Sequence, residues 1–347
     1  MTGKPPDGGR RGRRPGRPTM AAIARLAGVS TPTVSRVLNG RSGVASETRR
    51  QVEALLREHG YRRPNSVAPA ASVEVVFFGL EGHLTISIMR GVESVVRRQD
   101  LVVGFTDVLS RASTERPWAQ QLLQRRPVGM IAAHSSFAPQ EHALLTASGI
   151  PMVALDPAGM PPDTVPSVGA ANWSGGVAAA RHLLELGHRR IAVIAGPLKS
   201  LVARARLEAC RAAMDAAGVP LDDRLVRSGE FFFERGLALG ADLLRTTDRP
   251  TAIICGNDLQ ALGVYEAARR AGIAIPDELS VIGFDDLEFT SWCGPPMTTV
   301  RQPFDAMGAA AARLVLALAA SEPLDHTRVE LPTTLVVRAS TAPPPDR

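Results

Sequence analysis

Three acidic or amide side chains stand directly after short apolar runs of this chain, at Asp156, Asn257 and Asp285. Arg206 lies early in a helical segment that follows another such run, and Phe231 precedes the next helical segment. Carboxylate, amide and guanidinium groups together can make paired hydrogen bonds to vicinal hydroxyls, and an aromatic ring can stack on the apolar face of a sugar ring. These residue types therefore predict a site for a small sugar.

Taken singly, each Asp is better explained as a helix cap or a turn residue, because its short side chain accepts hydrogen bonds from nearby backbone N–H groups. The binding interpretation depends on convergence. In parallel sheets, ligands collect at the carboxyl ends of the strands, and that is where these polar residues fall. The elements that carry them must therefore be placed first.

From residue 73 onward, β-branched apolar runs alternate with helical patterns. Strands are predicted at residues 73–78, 101–105, 128–132, 151–155, 167–170, 191–195, 252–255 and 279–284. Helices are predicted at residues 88–98, 118–124, 140–147, 174–186, 204–217, 235–244, 259–271 and 305–318. This alternation is typical of an α/β fold with parallel, doubly wound sheets, and roughly 270 residues are better divided between two lobes than placed in one.

The stretch 20–39, MAAIARLAGVSTPTVSRVLN, predicts two short helices around a tight turn. Gly28 can adopt the positive φ of the turn, Ser30 can cap the second helix, and Pro32 suits its first turn. Such a pair is a helix-turn-helix, whose second helix would present polar side chains to the major groove of DNA: Thr31, Thr33, Ser35 and Arg36. The alternative is an αα-hairpin of an ordinary core.

The positive charge of the chain is concentrated at its beginning. The net charge is +6, yet residues 1–63 contain 14 Lys and Arg against 4 Asp and Glu, whereas the remainder contains 26 against 30. A basic end that coincides with a helix-turn-helix indicates binding to a polyanion.

Cysteine usage and hydropathy limit the possible compartments. Cys210, Cys255 and Cys293 are widely spaced without a CxxC pair, which favours neither a disulfide framework nor a zinc site, and no cofactor is expected. No apolar run approaches the ~20 residues of a membrane span. Arginine pairs near the start allow a twin-arginine export interpretation, but the stretch after them contains Arg25 and belongs to the helix-turn-helix. We expect a cytoplasmic protein.

The order AxxAGVSxxTVSRVLNGxxxVxxxTRxxVxxxxxxxGY, which runs to Tyr61, resembles the DNA-binding headpiece of the LacI/GalR family. The resemblance implies that Thr31, Pro32 and Arg36 read base edges. Arg36 could pair bidentately with a guanine, whereas Pro32 offers only apolar contact. Asn39 and Tyr61 belong to the same motif and complete the candidate DNA-binding residues.

Further segments resemble the effector domain of that family, which is related to periplasmic sugar-binding proteins. They are LGHRRIA at 186–192, RAR at 204–206, NDLQALG at 257–263, DELSVIGFDD at 277–286 and PMTTV at 296–300. The resemblance implies effector contacts at Arg206, Asn257 and Asp285, with Asp156 and Phe231 on less similar flanks. Residues 172–176 and 256–260 resemble members that control xylan, xylose or β-glucoside use.

These patterns predict a domain order. A basic flexible arm (1–18) precedes the helix-turn-helix domain (19–63), a linker (64–72), an effector-binding domain (73–340) and a tail (341–347). By the resemblance, lobe 1 comprises about 73–170 and 302–330, and lobe 2 about 171–301 and 331–340.

Two short segments before the lobes leave alternatives open. Residues 13–18, RRPGRP, resemble the core of minor-groove AT-hook peptides, although non-specific phosphate attraction is the better explanation of them. In the linker, Pro69 and Ala71 depart from the leucine-bearing hinge helix of the family. The sequence therefore leaves open how an effector would reposition the headpieces.

The leading hypothesis is a ligand-responsive transcriptional regulator, a repressor of sugar-utilisation genes that binds a pseudo-palindromic DNA operator as a homodimer and is released by a small sugar. The alternative is a sugar-processing α/β enzyme with an accessory DNA-binding end. Such an enzyme would need a phosphate cradle, yet neither GxxxxGK[ST] nor GxGxxG follows a strand, and HExxH and GxSxG are also missing from the sequence. We expect no enzymatic activity.

Overall fold

The computed structural model describes residues 19–38, 43–59, 72–77, 82–108, 118–134 and 139–345. The chain divides into two compact units, Met1–Ala68 and Pro69–Arg347. The predicted arm at 1–18 and the linker residues 64–71, with Pro69 and Ala71, lie outside the described residues. Within the described ranges, no helix is long and apolar enough to span a membrane.

In its described residues, 19–38 and 43–59, the first unit contains three helices, α1 (Met20–Leu26), α2 (Thr31–Leu38) and α3 (Ser46–Glu58). Gly28 has a φ of +65° in the turn, and the hydroxyl of Ser30 accepts a hydrogen bond from the N–H of Thr33 at 3.3 Å. The apolar faces meet in a small core of six buried side chains: Ile23, Ala24, Ala27, Val34, Val37 and Val52. The predicted helix-turn-helix is confirmed.

The second unit alternates strands and helices over most of its length. Its strands are β1 (Ser72–Phe77), β2 (Val102–Asp107), β3 (Gly129–Ala133), β4 (Met152–Leu155), β5 (Ser167–Ala170), β6 (Ile191–Ala195), β7 (Val226–Ser228), β8 (Ala252–Cys255), β9 (Ser280–Asp285), β10 (Thr298–Arg301), β11 (Arg328–Leu331) and β12 (Thr334–Val336). Its helices are α4 (Gly82–Val96), α5 (Trp118–Arg125), α6 (Pro139–Ser148), α7 (Asn172–Glu185), α8 (Leu201–Ala216), α9 (Phe233–Leu244), α10 (Asp258–Ala271) and α11 (Phe304–Ala320).

The first sheet has the strand order β11-β5-β4-β3-β1-β2, and all of its strand pairs are parallel. Alternate residues of β1 enter two different cores, because successive side chains of a strand point to opposite faces. Val75 and Phe77 pack with residues of α4 and α11, whereas Val76 packs with Trp118 and Leu122 of α5. Helices therefore cover both faces, as a doubly wound sheet requires.

The second sheet has the order β12-β10-β9-β8-β6-β7, in which β12 alone runs antiparallel to its neighbour. Ile194 and Ile253 join a core with α9 and α10, and Val193 and Ile254 join a second core with α7 and α8. The predicted fold class, a helical headpiece followed in the chain by two parallel-dominated, doubly wound sheets, is confirmed.

The chain passes between the two sheets three times. It leaves the first sheet after β5, returns after β10 through α11, and leaves again in the two residues between β11 and β12. On the return, α11 packs against α4 through two glycines. A Cβ on Gly91 would lie 2.0 Å from the carbonyl oxygen of Asp305, and one on Gly308 would lie 2.4 Å from that of Ile88. The backbones of α4 and α11 therefore approach too closely for any side chain at these two glycines.

Four strands of the structure are absent from the sequence prediction: β7, β10, β11 and β12. Each has only three or four residues and carries polar side chains, so no alternation is long enough to detect. Helix α4 begins at Gly82 rather than at the predicted residue 88, because polar residues such as Thr85 and Ser87 interrupt the apolar pattern of its first turns.

The first two residues of the predicted tail, 341 and 342, contact two histidines of the lobe that contains the second sheet. The ring of His188 is buried, and its Nε2 lies 2.9 Å from the carbonyl oxygen of Ala342. His182 Nε2 lies 2.9 Å from the hydroxyl of Thr341. These contacts attach residues 341 and 342 to the second sheet's lobe.

Candidate functional site

Strand ends from both sheets open onto a cavity of about 400 Å³. All five side chains that the sequence predicts as effector contacts line it: Asp156, Arg206, Phe231, Asn257 and Asp285. Asp156 follows β4 of the first sheet, whereas Asp285 ends β9 of the second, so the cavity lies between the two lobes. The structure thus places these residues together, and their binding of an effector stays a prediction.

Arg206 on α8 is a buried cation of the site, with a side chain that is only 8% exposed. Its Nε donates a hydrogen bond to Oδ1 of Asn172 at 2.8 Å, and its Nη1 donates to the carbonyl oxygen of Gly256 at 2.6 Å. The guanidinium carbon lies 3.7 Å from the centroid of the Phe284 ring. Burial lowers the pKa of Arg206, while Asp285 and Asp156 oppose that shift.

Asp285 is the carboxylate nearest to this cation, at 3.7 Å between Oδ1 and Arg206 Nη1. Its Oδ1 also accepts a hydrogen bond of 2.6 Å from Nε2 of Gln302. Burial nevertheless dominates and raises the pKa of Asp285 to about 6. A carboxyl that changes protonation near this pH can accept from a hydroxyl when ionised and donate when protonated.

Asp156 lies on the opposite wall beside a residue that the sequence analysis did not single out. Oδ2 of Asp156 lies 3.4 Å from Nδ1 of His134, which follows β3. Burial disfavours the ionised acid, but the hydrogen bond from His134 and the charges of His134 and Arg206 lower the pKa of Asp156 below its ordinary value. This second carboxylate is therefore an acceptor at neutral pH.

Asn257 caps a helix and also lines the cavity. Its Oδ1 caps α10 by accepting from the N–H of Gln260 at 2.9 Å, and its Nδ2 donates to the carbonyl oxygen of Phe231 at 3.1 Å. The ring of Phe231 covers Gly196, where an added Cβ would lie 2.1 Å from the ring. An aromatic wall is thus held in place beside the amide.

Backbone strain concentrates at the strand ends around the cavity. His134, Asp156, Asp285 and Asp286 have φ values of 53°, 45°, 120° and 60°, a region that side chains other than glycine rarely adopt. Each such residue costs about 1–3 kcal/mol, and such conformations persist mostly at functional sites. The strain therefore supports a binding role for these strand ends.

Among the residues that the sequence prediction missed, three make polar contacts with predicted side chains: His134, Asn172 and Gln302. The signal for His134 was its position two residues after the strand predicted at 128–132. Gln302 follows β10, a strand that was itself not predicted, and Asn172 precedes a predicted helix by two residues.

The two lobes also make a direct backbone contact at the cavity. The N–H of Leu201, the first residue of α8, donates to the carbonyl oxygen of Ala158 at 2.9 Å. Ala158 belongs to the segment after β4 of the first sheet. We call this bond the clasp, because it connects loops of both lobes beside the site.

The headpiece presents the predicted DNA-reading residues on α2. Thr31, Pro32 and Arg36 are exposed, whereas Thr33 and Ser35 are half-buried. The hydroxyl of Thr33 lies 2.8 Å from that of Ser30, so it is engaged within the helix start. Asn39 and Tyr61 lie outside the described residues.

Comparison with known proteins identifies the family. Residues 19–65 match the family described as bacterial regulatory proteins, lacI family, and residues 180–341 match a periplasmic binding protein-like domain. The HTH-type transcriptional regulator MalR of Streptomyces coelicolor is 34% identical over 342 residues, which cover 94% of this chain and 97% of MalR. The chain belongs to the LacI family.

Solved structures of LacI-family proteins match over nearly the whole chain. A complex of the transcriptional regulator CelR with cellobiose is 32% identical, with a TM-score of 0.72 and coverage of 93% of this chain and 100% of that one. The lac repressor dimer bound to operator and the anti-inducer ONPF is 30% identical, with a TM-score of 0.67 and coverage of 93% and 99%. The protein is thus a ligand-responsive, DNA-binding transcriptional regulator of the LacI family, as its sequence predicts.

Proposed function

We propose that this LacI-family regulator represses sugar-utilisation genes and that a small neutral sugar releases it from its operator. The observation that carries the proposal is the buried guanidinium of Arg206, which shares one cavity with the carboxylates of Asp285 and Asp156. The guanidinium of Arg206 donates hydrogen bonds and the two carboxylates accept them. Adjacent hydroxyl groups of a sugar both donate and accept, so they suit this pair of partners.

The charges around the cavity favour a neutral ligand. Arg206 and Lys199 are the cations of its lining, and they are matched by the carboxylates of Asp156 and Asp285. An anionic sugar would bring its charge close to both carboxylates, which costs free energy in a partly buried site. A cavity of about 400 Å³ also suits a small ligand.

The relatives narrow the sugar class further. The similar CelR structure holds cellobiose, a β-glucoside, and the sequence around residues 172–176 and 256–260 resembles regulators of xylan, xylose or β-glucoside use. We infer that the first effectors to test are cellobiose, xylobiose and D-xylose, with maltose and D-glucose for comparison.

We further propose that the protein acts as a cytoplasmic homodimer. The similar lac repressor structure is a dimer bound to operator. Two headpieces related by a two-fold axis would place two copies of α2 in half-sites roughly one DNA turn apart, about 34–36 Å. Sugar binding would change the lobe orientation and lower operator affinity through the linker.

The predicted domain order belongs to the same proposal. In it, an arm at 1–18 adds non-specific attraction to DNA, 19–63 reads the operator, and 64–72 transmits the lobe movement. Lobe 1 (73–170 and 302–330) and lobe 2 (171–301 and 331–340) enclose the sugar, and 341–347 is a tail. The strand membership of the two sheets supports this division of the lobes.

The test is operator binding by the full-length protein with and without sugars. Duplexes selected from a randomised library supply the operator, and fluorescence anisotropy measures affinity with each of the five sugars. The proposal expects selection of a pseudo-palindrome and weaker binding in the presence of at least one sugar. An affinity for DNA that no sugar changes would refute the inducer role.

Arg206→Ala separates a regulator from a sugar-processing enzyme. Loss of charged hydrogen bonds, each worth about 1.5–3 kcal/mol, should abolish the sugar response while operator binding remains. Arg204→Ala is the matched control, because Arg204 is an exposed residue of the same helix. Arg206→Lys keeps the charge without the planar fork and should respond only weakly. Sugar turnover by the wild-type protein, lost in Arg206→Ala, would favour the enzyme.

A further inference from the structure

Asp258 is a fully buried acid beside the candidate sugar site, although it does not line the cavity. It is the first residue of α10 and directly follows Asn257. An acid in the first turn of a helix is favourable because the helix N-terminus carries a partial positive charge, but an exposed acid gains the same benefit. The capping bond of α10 is already made by Asn257. The helix alone therefore does not explain why this carboxylate is buried.

Both oxygens of Asp258 bind elements other than its own helix. Oδ1 accepts a hydrogen bond of 2.5 Å from the hydroxyl of Thr299 on β10, and Oδ2 accepts one of 2.8 Å from the backbone N–H of Leu287. The carboxylate also lies against β9, where a Cβ on Gly283 would be 2.1 Å from Oδ1. Asp258 thus connects the start of α10 to two strands and to the segment that follows β9.

That segment contains the strained strand end of the site. Asp285 and Asp286 have φ values of 120° and 60°, and Leu287 comes directly after them. Residues in such unfavourable regions keep their conformation only where the surrounding structure holds them. The bond from Leu287 to Asp258 fixes one end of this turn, and the other end carries Asp285, which lines the cavity.

The buried acid has a cost that packing alone does not justify. Burial, together with the charge of Asp285, raises the pKa of Asp258 well above its ordinary value. An apolar side chain of the same shape would fill the position without this cost, but it could not accept hydrogen bonds from Leu287 and Thr299. The bonds that the carboxylate accepts therefore explain its presence.

We propose that Asp258 is a positioning residue for sugar binding, which holds the N–H of Leu287, fixes the turn at 285–286 and so directs Asp285 to the effector. The inference rests on the proposed sugar-binding function and deepens it, because it adds a residue that acts on the effector only through Asp285. Sugar affinity should therefore depend on Asp258 only while the carboxylate of Asp285 is present.

The test is a double-mutant cycle in the full-length protein, with sugar affinity measured by isothermal titration calorimetry. The tightest-binding member of the panel of cellobiose, xylobiose, D-xylose, maltose and D-glucose serves as the ligand. Asp258→Leu keeps the branched shape and removes both acceptors, whereas Asp258→Asn keeps an acceptor for Leu287. Thr299→Val is the matched control, because it breaks the other hydrogen bond of the same carboxylate.

Asp258→Leu should bind the sugar about tenfold more weakly than wild type, because the buried N–H of Leu287 loses its acceptor and the turn relaxes. The same substitution should cause no further loss in an Asp285→Asn background, whereas independent effects would multiply. Asp258→Asn and Thr299→Val should both bind within about twofold of wild type, since the bond to Leu287 remains.

A second measurement needs no sugar. Hydrogen–deuterium exchange followed by mass spectrometry reports on the N–H of Leu287 in peptides that span the turn. Exchange there should be faster in Asp258→Leu than in wild type and should stay slow in Asp258→Asn. If Asp258→Leu does not fold, Asp258→Ser takes its place, because its side chain is one bond shorter and ends before Leu287.

Three results would overturn the inference. Unchanged sugar affinity in Asp258→Leu would show that the turn keeps its conformation without this carboxylate. Losses that multiply in the cycle, or a tenfold loss in Thr299→Val, would show that Asp258 stabilises the lobe without acting through Asp285. Unchanged exchange at Leu287 would show that the bond does not hold the turn. If wild type binds none of the five sugars, the proposed sugar class is refuted, and the exchange measurement still decides whether Asp258 holds the turn.

Discussion

Replacing Asp285 by Asn tests whether burial or ion pairing decides the electrostatics of the cavity. The carboxylate is 5% exposed, and burial raises its pKa to about 6 despite Arg206 at 3.7 Å and the hydrogen bond from Gln302. A carboxyl that is less acidic in the folded than in the unfolded protein favours unfolding once it ionises. Asn has nearly the same shape without the charge, so Asp285→Asn should be more stable than wild type at neutral pH.

The magnitude follows from the two pKa values. The ordinary value is 3.8 and the folded value about 6, so the difference corresponds to roughly 3 kcal/mol at about 1.36 kcal/mol per unit. Below the ordinary value, both states are protonated and no penalty exists. As the pH rises between the two values, the unfolded state loses its proton first, so wild type loses stability until the folded carboxyl has also ionised.

Urea unfolding followed by circular dichroism, from about pH 4 to pH 8, measures this difference. The free energy of unfolding of Asp285→Asn minus that of wild type should be near zero at the acid end and should reach about 3 kcal/mol near neutral pH. The variant should also bind sugar at least about tenfold more weakly, because it has lost a charged acceptor. Greater stability with weaker binding is the expected trade-off at a functional site.

Asp286→Asn is the matched control, with the opposite expected sign. Its carboxylate accepts hydrogen bonds of 2.6 Å from both Arg338 and Arg301, which outweigh burial and lower the pKa of Asp286. That stabilisation is present above the ordinary pKa and is lost on acidification, so Asp286→Asn should be less stable than wild type at neutral pH. If Asp285→Asn were destabilised in the same way, ion pairing would dominate and the burial argument would be wrong.

Two further substitutions test the clasp and the headpiece. Leu201→Pro removes the N–H that donates to Ala158, at a first helical position where proline is tolerated. Sugar affinity measured by calorimetry should fall about fivefold, the value of one neutral hydrogen bond, and an unchanged affinity would show that the clasp contributes nothing to closure. Ile23→Ala empties a fully buried position of the headpiece core, at a cost of about 2–5 kcal/mol. Operator binding should be lost while sugar binding remains, and operator binding at wild-type strength would contradict the packing argument.

The sequence alone predicted those helices and strands whose apolar spacing, caps and turns lie close together in the chain. The headpiece is an example, since the apolar spacing around Gly28 and the cap at Ser30 act within twenty residues. The interior strands are another, because continuous apolar runs such as β6 and β8 are buried on both faces. Asp156 and Asp285 could be placed at a site because each follows such a run.

The tertiary structure alone decided how those residues are used. Arg206 meets Asn172 from 34 positions earlier in the chain, and Gln302 reaches Asp285 from a crossover after a strand too short to detect. The raised pKa of Asp285 depends on exclusion of water by two lobes that local sequence does not bring together. Spacing along a chain records which face of an element is apolar, whereas burial, pairing and protonation depend on distant segments that become neighbours only when the lobes assemble.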